Sequence, residues 1–515
     1  MPQDVVQLLE RAQAGDALEV RAVAADLLAA DPSAAHHFVN VVTYIAEADP
    51  AGSLAALEPM LAAAVLEGSR GWQACALGSR AAERLKLGAS DPAAYDIDAS
   101  LRDLVAAERL TGGEPDPVAA VNAAVAIAIG WYELRLYELV EPQFRAAHAM
   151  STAHREQNGN CSMWLFNLAE LHLRWALELY QVGQIQPAEE HTTEAERYAL
   201  QAAAEVSGPD ACTWRDMALL AAACSRADRH DPAGAAAAIS RLLPILQERG
   251  LSPAALAYAW PFYGVALSRS GRAEEALEVM ERAVADLPPE ADWLVKASTH
   301  RTYAVLLNRR GSRETPSTLA YGDALAATLW LQRQQTLHAA ETIRDLQALR
   351  ARHEQVARAA ELDPLTGIAN RRAFDRAVAE ARGRATVLVI DTDKFKQIND
   401  TKGHAAGDDA LRAITAALAA QVREEDLIAR LGGDEFGALL PGIGSATGAE
   451  IARRMVRAVR DLPNCPATVS IGVADGPALE LPAALIQADA AMYQVKRSGG
   501  DGVEVCSTDA TARAA

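Results

Sequence analysis

The chain has 515 residues, enough for about two to four domains, and half of its residues are hydrophobic. Its net charge of −19 argues against a nucleic-acid or anionic-membrane partner, because both require a basic surface. The six cysteines form no Cys-x-x-Cys pair and no uncharged apolar run reaches about 18 residues, which predicts reduced thiols and no membrane span. The first residues lack a basic, apolar leader pattern, so we expect a cytoplasmic protein.

Residues 1–310 have the pattern of Ala- and Leu-rich amphipathic helices separated by short polar breaks. The clearest unit begins at Trp260, breaks at Gly271 and ends at Pro288. Its small and large residues resemble the tetratricopeptide repeat (TPR), and a looser copy lies around Trp175. We therefore predict an all-α, TPR-like solenoid with an uncertain number of repeats. Its concave face would bind a protein or peptide partner; the alternative is that the repeats only dimerise or space the chain.

A linker over 311–361 is predicted to contain a long helix, because neither Pro nor Gly occurs from Leu325 to Glu361. At 1.5 Å per residue this helix would span roughly 55 Å. Its apolar side chains follow a rough heptad: Leu325, Leu329, Ala339, Ile343, Leu346, Ala357 and Ala360. The pattern predicts a weak parallel coiled coil with a second chain, and a solvated connector helix is the alternative.

Two acidic segments stand out in the C-terminal part. A continuous apolar run of strand type ends at Asp391, and Arg430–Leu440 contains two shorter runs joined by Gly-Gly-Asp-Glu. Paired glycines suit a tight hairpin turn and leave room for a phosphate beside the backbone. The alternation of helices and strands predicts an α/β domain in which the hairpin lies beside the strand, so that Asp391 and Asp434 converge.

The order and spacing of these motifs resemble the GGDEF family of diguanylate cyclases. The matching segments are Asp363-Pro364-Leu365-Thr366-Gly367, Asn370-Arg371-Arg372, Asp391-Thr392-Asp393-Lys394-Phe395-Lys396-Gln397-Ile398-Asn399-Asp400, Gly403-His404, Gly407-Asp408 and Gly432-Gly433-Asp434-Glu435-Phe436. The resemblance covers 362–507 and leaves 508–515 as a predicted disordered tail. It implies an enzyme that joins two GTP molecules into cyclic di-GMP and releases two pyrophosphates, with one GTP held by each domain of a face-to-face homodimer.

The resemblance also implies roles for individual residues. Asp391, the main-chain carbonyl of Thr392 and Asp434 would hold Mg²⁺ (or Mn²⁺), and Asp434 and Glu435 would be catalytic. The family usually has an apolar residue in place of Thr392, a change that a carbonyl ligand tolerates. The substrate-binding residues would be Phe395, Lys396, Asn399, Asp408, Gly432, Gly433 and Lys496. Asn399 and Asp408 would read guanine, since a carboxylate accepts hydrogen bonds from its N1 and N2 donors, and the two lysines would meet phosphates.

Two further features bear on activity. Gly499-Gly500-Asp501 stands where the family commonly has Gly-Arg-Asn, so a triphosphate contact is missing and Asp501 adds charge of the wrong sign. This change leaves open a catalytically weak GGDEF receptor for GTP or cyclic di-GMP, or a TPR adaptor with a relic domain. Arg423 and Asp426 form the Arg-x-x-Asp pattern of an allosteric inhibitory site for the product in many members; a surface ion pair is the alternative.

Overall fold

The structure is a computed structural model that describes residues 2–91, 95–154, 161–206, 211–313, 315–463, 465 and 467–506. The predicted tail at 508–515 lies outside these residues. The chain divides into two compact units, Met1–Leu346 and Gln347–Ala515, and the boundary falls within one long helix. Across the described ranges, no helix is both long and apolar enough to cross a membrane.

The described part of the first unit is helical, which confirms the all-α prediction. Its helices are α1 (Pro2–Arg11), α2 (Ala17–Ala30), α3 (Ala34–Ala46), α4 (Pro50–Leu66), α5 (Arg70–Ser90), α6 (Ile97–Leu110), α7 (Pro117–Glu133), α8 (Tyr137–Ala153), α9 (Ser162–Gln181), α10 (Ile185–Glu205), α11 (Ala211–Arg226), α12 (Pro232–Glu248), α13 (Pro253–Leu256), α14 (Ala259–Arg269), α15 (Ala273–Ala285) and α16 (Trp293–Arg309). Aspartates at the breaks begin several of them: Asp49, Asp96, Asp116, Asp231 and Asp292 each accept a hydrogen bond from a backbone N–H of the first turn.

Helices α14 and α15 form the pair that the sequence singles out as repeat-like. A Cβ atom added at Gly264 would stand 2.5 Å from Met280 Sδ, so a larger residue there would require the Met280 side chain to move. Ala276 and Met280 of α15 are fully buried in the core of the unit. These features fit a TPR-like arrangement, and the TPR assignment itself remains a resemblance.

The long helix, α17, runs over Thr315–Ala359 and has 45 residues. It begins ten positions before the predicted start at Leu325. Pro316 lies in its first turn, where a missing N–H costs nothing, and Gly322 is accommodated within the helix. At 1.5 Å per residue the helix is about 67 Å long instead of the predicted 55 Å.

The part of α17 that belongs to the first unit packs against the apolar core of that unit. Leu337 and Ile343 contact the apolar core, and Ala340 is fully buried in it. Leu325 and Leu346, which were predicted to form a coiled-coil seam, are about half exposed on the helix. Part of the predicted heptad therefore packs against the first unit of the same chain. The exposed part remains a predicted contact surface for a coiled coil.

Arg333 of α17 is charged and yet fully buried, with 0% of its side chain exposed. Its Nη2 donates to Glu138 Oε2 at 2.5 Å and its Nε donates to the carbonyl of Arg135 at 2.7 Å. Glu178 Oε2 lies 3.7 Å away. The guanidinium also faces the rings of Tyr137, Trp175 and Trp330. Because a buried charge is costly unless it is paired, these contacts fix the position of α17 along the unit.

Two more arginines fix the same helix. Arg135, with a left-handed backbone (φ 58°), donates to the Leu329 carbonyl at 3.1 Å and to Glu178 at 3.2 Å. Farther along α17, Arg344 Nε donates to Glu108 Oε2 at 2.8 Å and its guanidinium lies over Trp131. Arginine can satisfy such partners because its planar group carries several fixed donors and stacks on aromatic rings.

The second unit is an α/β domain with a six-stranded mixed sheet. Its strands are β1 (Ala369–Asn370), β2 (Arg384–Thr392), β3 (Leu427–Gly432), β4 (Glu435–Pro441), β5 (Val469–Pro477) and β6 (Gly502–Val505), in the order β1-β3-β4-β2-β5-β6. Its helices after α17 are α18 (Arg371–Glu380), α19 (Phe395–Lys402), α20 (His404–Ala419), α21 (Ser445–Arg460) and α22 (Leu481–Arg497). The sheet confirms the predicted hairpin and its place beside β2, and Asn370 caps α18 as expected.

Helices cover both faces of this sheet. Leu388 and Ile390 of β2 pack with α20 and α21, whereas Val387 and Val389 point to the opposite core, where α18 and α22 lie. A Cβ atom at Gly472 of β5 would stand 1.8 Å from the Ala488 carbonyl, so glycine allows α22 to lie directly on the strand. Burial on both faces explains why β2 is a continuous apolar run up to its polar end.

We predict that Arg333→Ala loosens α17 from the first unit. The change leaves Glu138 without its cation and opens space in the aromatic cage, and loss of one partner of a buried pair typically costs about 3–5 kcal/mol. Amide hydrogen exchange over 326–344 should accelerate strongly, whereas Arg350→Ala, on an exposed part of the same helix, should leave it unchanged. Equal exchange in Arg333→Ala and the parent would contradict the anchoring role.

Candidate functional site

The end of β2 and the β3–β4 turn bring acidic residues together. Asp391 pairs in register with Glu435 on β4 and with Ser470 on β5. The backbone N–H and the hydroxyl of Thr392 each donate to the carbonyl of Asp434 at 3.1 Å. The antiparallel pairing of β2 with β4 therefore places the predicted carboxylates at one end of the sheet.

A salt bridge between two residues outside the predicted site holds the β3–β4 turn in place. The guanidinium of Arg430 donates to the Gly433 carbonyl from Nε at 2.9 Å and from Nη2 at 2.7 Å, and its Nη1 lies 3.1 Å from Asp363. Partial burial acts to raise the pKa of Asp363, but hydrogen bonds from Thr366 and Arg430 hold that pKa below its ordinary value. Asp363 and Arg430 are thus positioning residues. The sequence showed both as parts of motifs but not that they contact each other.

Asp391 is the most strongly perturbed acid of the site. Its side chain is only 7% exposed, and Lys496 Nζ of α22 lies 2.5 Å from its Oδ1. Burial, with added repulsion from Asp434 and Glu435, raises the pKa of Asp391 to about 6, although Lys496 acts in the opposite direction. One lysine thus only partly balances the negative charge gathered here.

The helix after β2 carries three of the predicted substrate-binding residues and brings one of them close to Asp408. Phe395, Lys396 and Asn399 lie on α19, a separate short helix that was not predicted. A Cβ atom at Gly407 of α20 would stand 1.9 Å from Asn399 Oδ1, so Asn399 lies directly against the turn of α20 that carries Asp408. Lys396 is exposed and has no ion-pair partner within the described ranges. The structure thus brings Asn399 close to Asp408, and their roles remain predictions.

The segment that departs from the family pattern is tied down by other residues. Asp393 accepts hydrogen bonds from Thr468, from Ser470 and from the backbone N–H of Asp501, at 2.6 to 2.8 Å. Arg460 of α21 pairs with the Asp501 carboxylate at 2.8 Å. Arg460 therefore offsets the negative charge that Asp501 was predicted to add. No local sequence pattern indicates this pair, because 40 residues separate its members.

Arg423 and Asp426 lie in the exposed turn before β3. Asp426 Oδ2 accepts from the backbone N–H of Arg423 at 2.9 Å, which shapes the turn. No ion pair joins their side chains, and the Arg423 guanidinium has no partner in the part of the chain that the structure describes. The predicted ion-pair alternative is thus not seen in this turn, and the inhibitory role remains a prediction.

A divalent metal fits the chemistry at the end of β2. The described residues contain no cluster of three His, Cys, Asp or Glu side chains arranged to hold a metal ion. The predicted ligand set differs from such a cluster, since it combines two carboxylates, of Asp391 and Asp434, with the Thr392 carbonyl. Burial raises the pKa of Asp391, and repulsion from Asp434 and Glu435 adds to this effect, so a hard cation would stabilise the charged carboxylate.

The C-terminal part of the chain is similar to known proteins. Residues 360–502 match the family model described as "Diguanylate cyclase, GGDEF domain". The chain is 39% identical over 165 residues to the diguanylate cyclase TpbB of Pseudomonas aeruginosa, covering 29% of this chain and 38% of TpbB. It is 36% identical over 202 residues to the diguanylate cyclase DgcP of the same species, covering 34% of this chain and 30% of DgcP.

Among solved structures, the chain is similar to the coiled coil and GGDEF domain of DgcB from Caulobacter crescentus in complex with c-di-GMP. The identity is 31%, the match covers 33% of this chain and 98% of that one, and the TM-score is 0.30. The chain spans less than half the length of the curated relatives named above. The match to the family model is confined to residues 360–502 of the second unit. These residues include β2, α19, α20 and the β3–β4 hairpin, which form the site. Residues 360–502 therefore form a GGDEF domain, and this is the part of the chain that is similar to diguanylate cyclases.

Proposed function

We propose that this chain is an active diguanylate cyclase that condenses two GTP molecules into cyclic di-GMP and two pyrophosphates. The observation that carries the proposal is the convergence of Asp391 with the Asp434–Glu435 turn at the end of β2. Directly after that strand, α19 holds Asn399 against the turn of α20 that carries Asp408. Residues suited to metal binding and to base reading are thus combined in one domain, and the similarity to the named diguanylate cyclases supports the same reaction.

Asp391, Asp434 and the Thr392 carbonyl would hold Mg²⁺ or Mn²⁺. The ion would neutralise charge on the triphosphate during phosphoryl transfer. Lys496 pairs with Asp391 in this structure, and it would also contact a phosphate of the bound GTP. Lys396 and the open backbone of Gly432 and Gly433 would complete the triphosphate site.

The remaining residues orient the substrate. Asn399 and Asp408 would fix the guanine, and exposed Glu435 would accept the proton of an attacking 3′-hydroxyl. Each hydroxyl attacks the α-phosphorus of the other GTP, so the bond to pyrophosphate breaks as the new phosphodiester forms. A single domain holds one GTP, and the reaction therefore requires a homodimer. We propose that the first unit, acting as a sensory or partner-binding domain, controls through α17 how the two catalytic domains meet.

The direct test is Asp434→Ala. Loss of a charge that stabilises the reacting phosphates should lower the rate of cyclic product by about 100-fold or more. Folding should persist, because Asp434 is only partly buried. The matched control is Asp409→Ala on α20, which removes an exposed acid paired with Arg412 and should retain full activity. Product formed at the parent rate by Asp434→Ala would overturn the assignment.

A second prediction concerns pH. Because folding raises the pKa of Asp391 from 3.8 to about 6, the metal-free unit should lose stability as pH rises through this range. Asp391→Asn should abolish that loss and, above pH 7, stabilise the metal-free unit by at most about 3 kcal/mol. Millimolar Mg²⁺ should then stabilise the parent but not the variant.

The measurement is urea unfolding followed by circular dichroism and by tryptophan fluorescence. All eight tryptophans precede residue 347, so a dichroism transition without a fluorescence change reports the second unit. Asp409→Asn serves as the control and should unfold like the parent at each pH. If parent and Asp391→Asn show the same pH dependence, Asp391 is not the group whose charge opposes folding.

A third prediction concerns product inhibition at Arg423 and Asp426. The exposed Arg423 guanidinium would bind a phosphate or guanine of cyclic di-GMP, with Asp426 as the acceptor for guanine donors. Arg423→Ala should relieve inhibition at high product and leave the initial rate nearly unchanged. Arg412→Ala is the control for an exposed arginine and should stay inhibited. A parent enzyme that keeps its full rate when cyclic di-GMP is added has no such site.

A further inference from the structure

The first unit contains a cavity of about 410 Å³ that is separate from the nucleotide site. It lies among α9, α11, α14 and α16, and we call it the arginine-lined cavity. Its apolar walls include Leu177, Phe262, Val265, Val305 and Leu306. A volume of several hundred Å³ with mostly apolar walls is typical of small-molecule sites, whereas an extended peptide needs a longer groove.

Three arginines give the cavity its polar side. Arg269, Arg301 and Arg309 all line it, and the only carboxylate among the lining residues is Asp228, which pairs with Arg269. Arg309 has no ion-pair partner among the residues that the structure describes. The lining thus carries a net positive charge in a chain whose total charge is −19. An apolar body with one negative group complements both sides of this cavity.

Arg301 also connects the cavity to α17. It lies 3.2 Å from Asp323 on that helix, and the side chains are 35% and 51% exposed. An exposed ion pair of this kind is weak, so a carboxylate bound in the cavity would compete with Asp323 for the same guanidinium. Binding at the cavity and the contact between α16 and the start of α17 would therefore oppose each other.

We infer that the arginine-lined cavity binds a small apolar monocarboxylate, such as a medium-chain fatty acid. Its carboxylate pairs with Arg309 and displaces Asp323 from Arg301. All residues involved belong to the first unit, so the inference does not depend on the activity proposed for the second unit. Where that activity is present, the ligand would act on it through the first turns of α17.

The test is calorimetric titration of the full chain with sodium decanoate below its micellar concentration. Arg309→Gln and Arg301→Gln should each weaken binding by about tenfold, because each removes a charge-assisted contact. Asp323→Asn should tighten binding by about threefold, because it removes the competing carboxylate. Arg272→Gln removes an exposed arginine that pairs with Glu275 outside the cavity, and it should bind like the parent.

A neutral probe and a pair of peptides test the two alternatives. Decanol should bind at least tenfold more weakly than decanoate, and a short apolar peptide with a free C-terminus should not bind more tightly than its amidated form. The inference is overturned if decanoate does not bind, if decanol binds equally well, or if only the peptide with a free C-terminus binds. An unchanged affinity in Asp323→Asn would overturn the competition for Arg301.

Discussion

The burial of a carboxylate at the end of β2 is the constraint on which the candidate site of the second unit depends. Asp391 is buried beside Asp434 and Glu435, and among the described residues Lys496 is the cation that pairs with it. Burial normally selects against such a group, so the surrounding structure must hold it in place. The antiparallel register of β2 with β4 does this for the backbone, because the turn cannot move away without breaking the sheet. Lys496 serves as the counter-ion of the buried Asp391, and a hard cation bound here would neutralise more of the negative charge.

Residues outside the site hold the parts that meet there. Arg430 ties the Gly433 carbonyl to Asp363 at the start of the domain, and Asp393 fixes the segment that contains Asp501. In the first unit the same physical solution recurs, since Arg333 and Arg344 of α17 are held by buried or half-buried glutamates and aromatic rings. Both units thus use arginine where charge must be fixed in a partly buried setting.

The sequence predicted the fold class, the hairpin and the strand that ends at Asp391, because burial on both sheet faces and paired glycines leave clear local patterns. It missed α19, whose eight residues include Asn, Asp, Thr and two Lys and carry little apolar periodicity. It also placed the start of α17 too late, because Pro316 and Gly322 were read as breaks. The contacts Arg430–Asp363, Arg460–Asp501 and Arg333–Glu138 join residues far apart in the chain, and no local pattern reveals them.

The most direct test of the proposed function is to incubate the purified full chain with GTP and Mg²⁺ and to identify the product by mass. The rate per chain should be measured over a wide range of chain concentrations. We predict cyclic di-GMP with two pyrophosphates released per product, and a rate per chain that rises with concentration until the dimer is saturated. Bound GTP that remains unconverted at every concentration would contradict the proposal and would instead favour a nucleotide receptor.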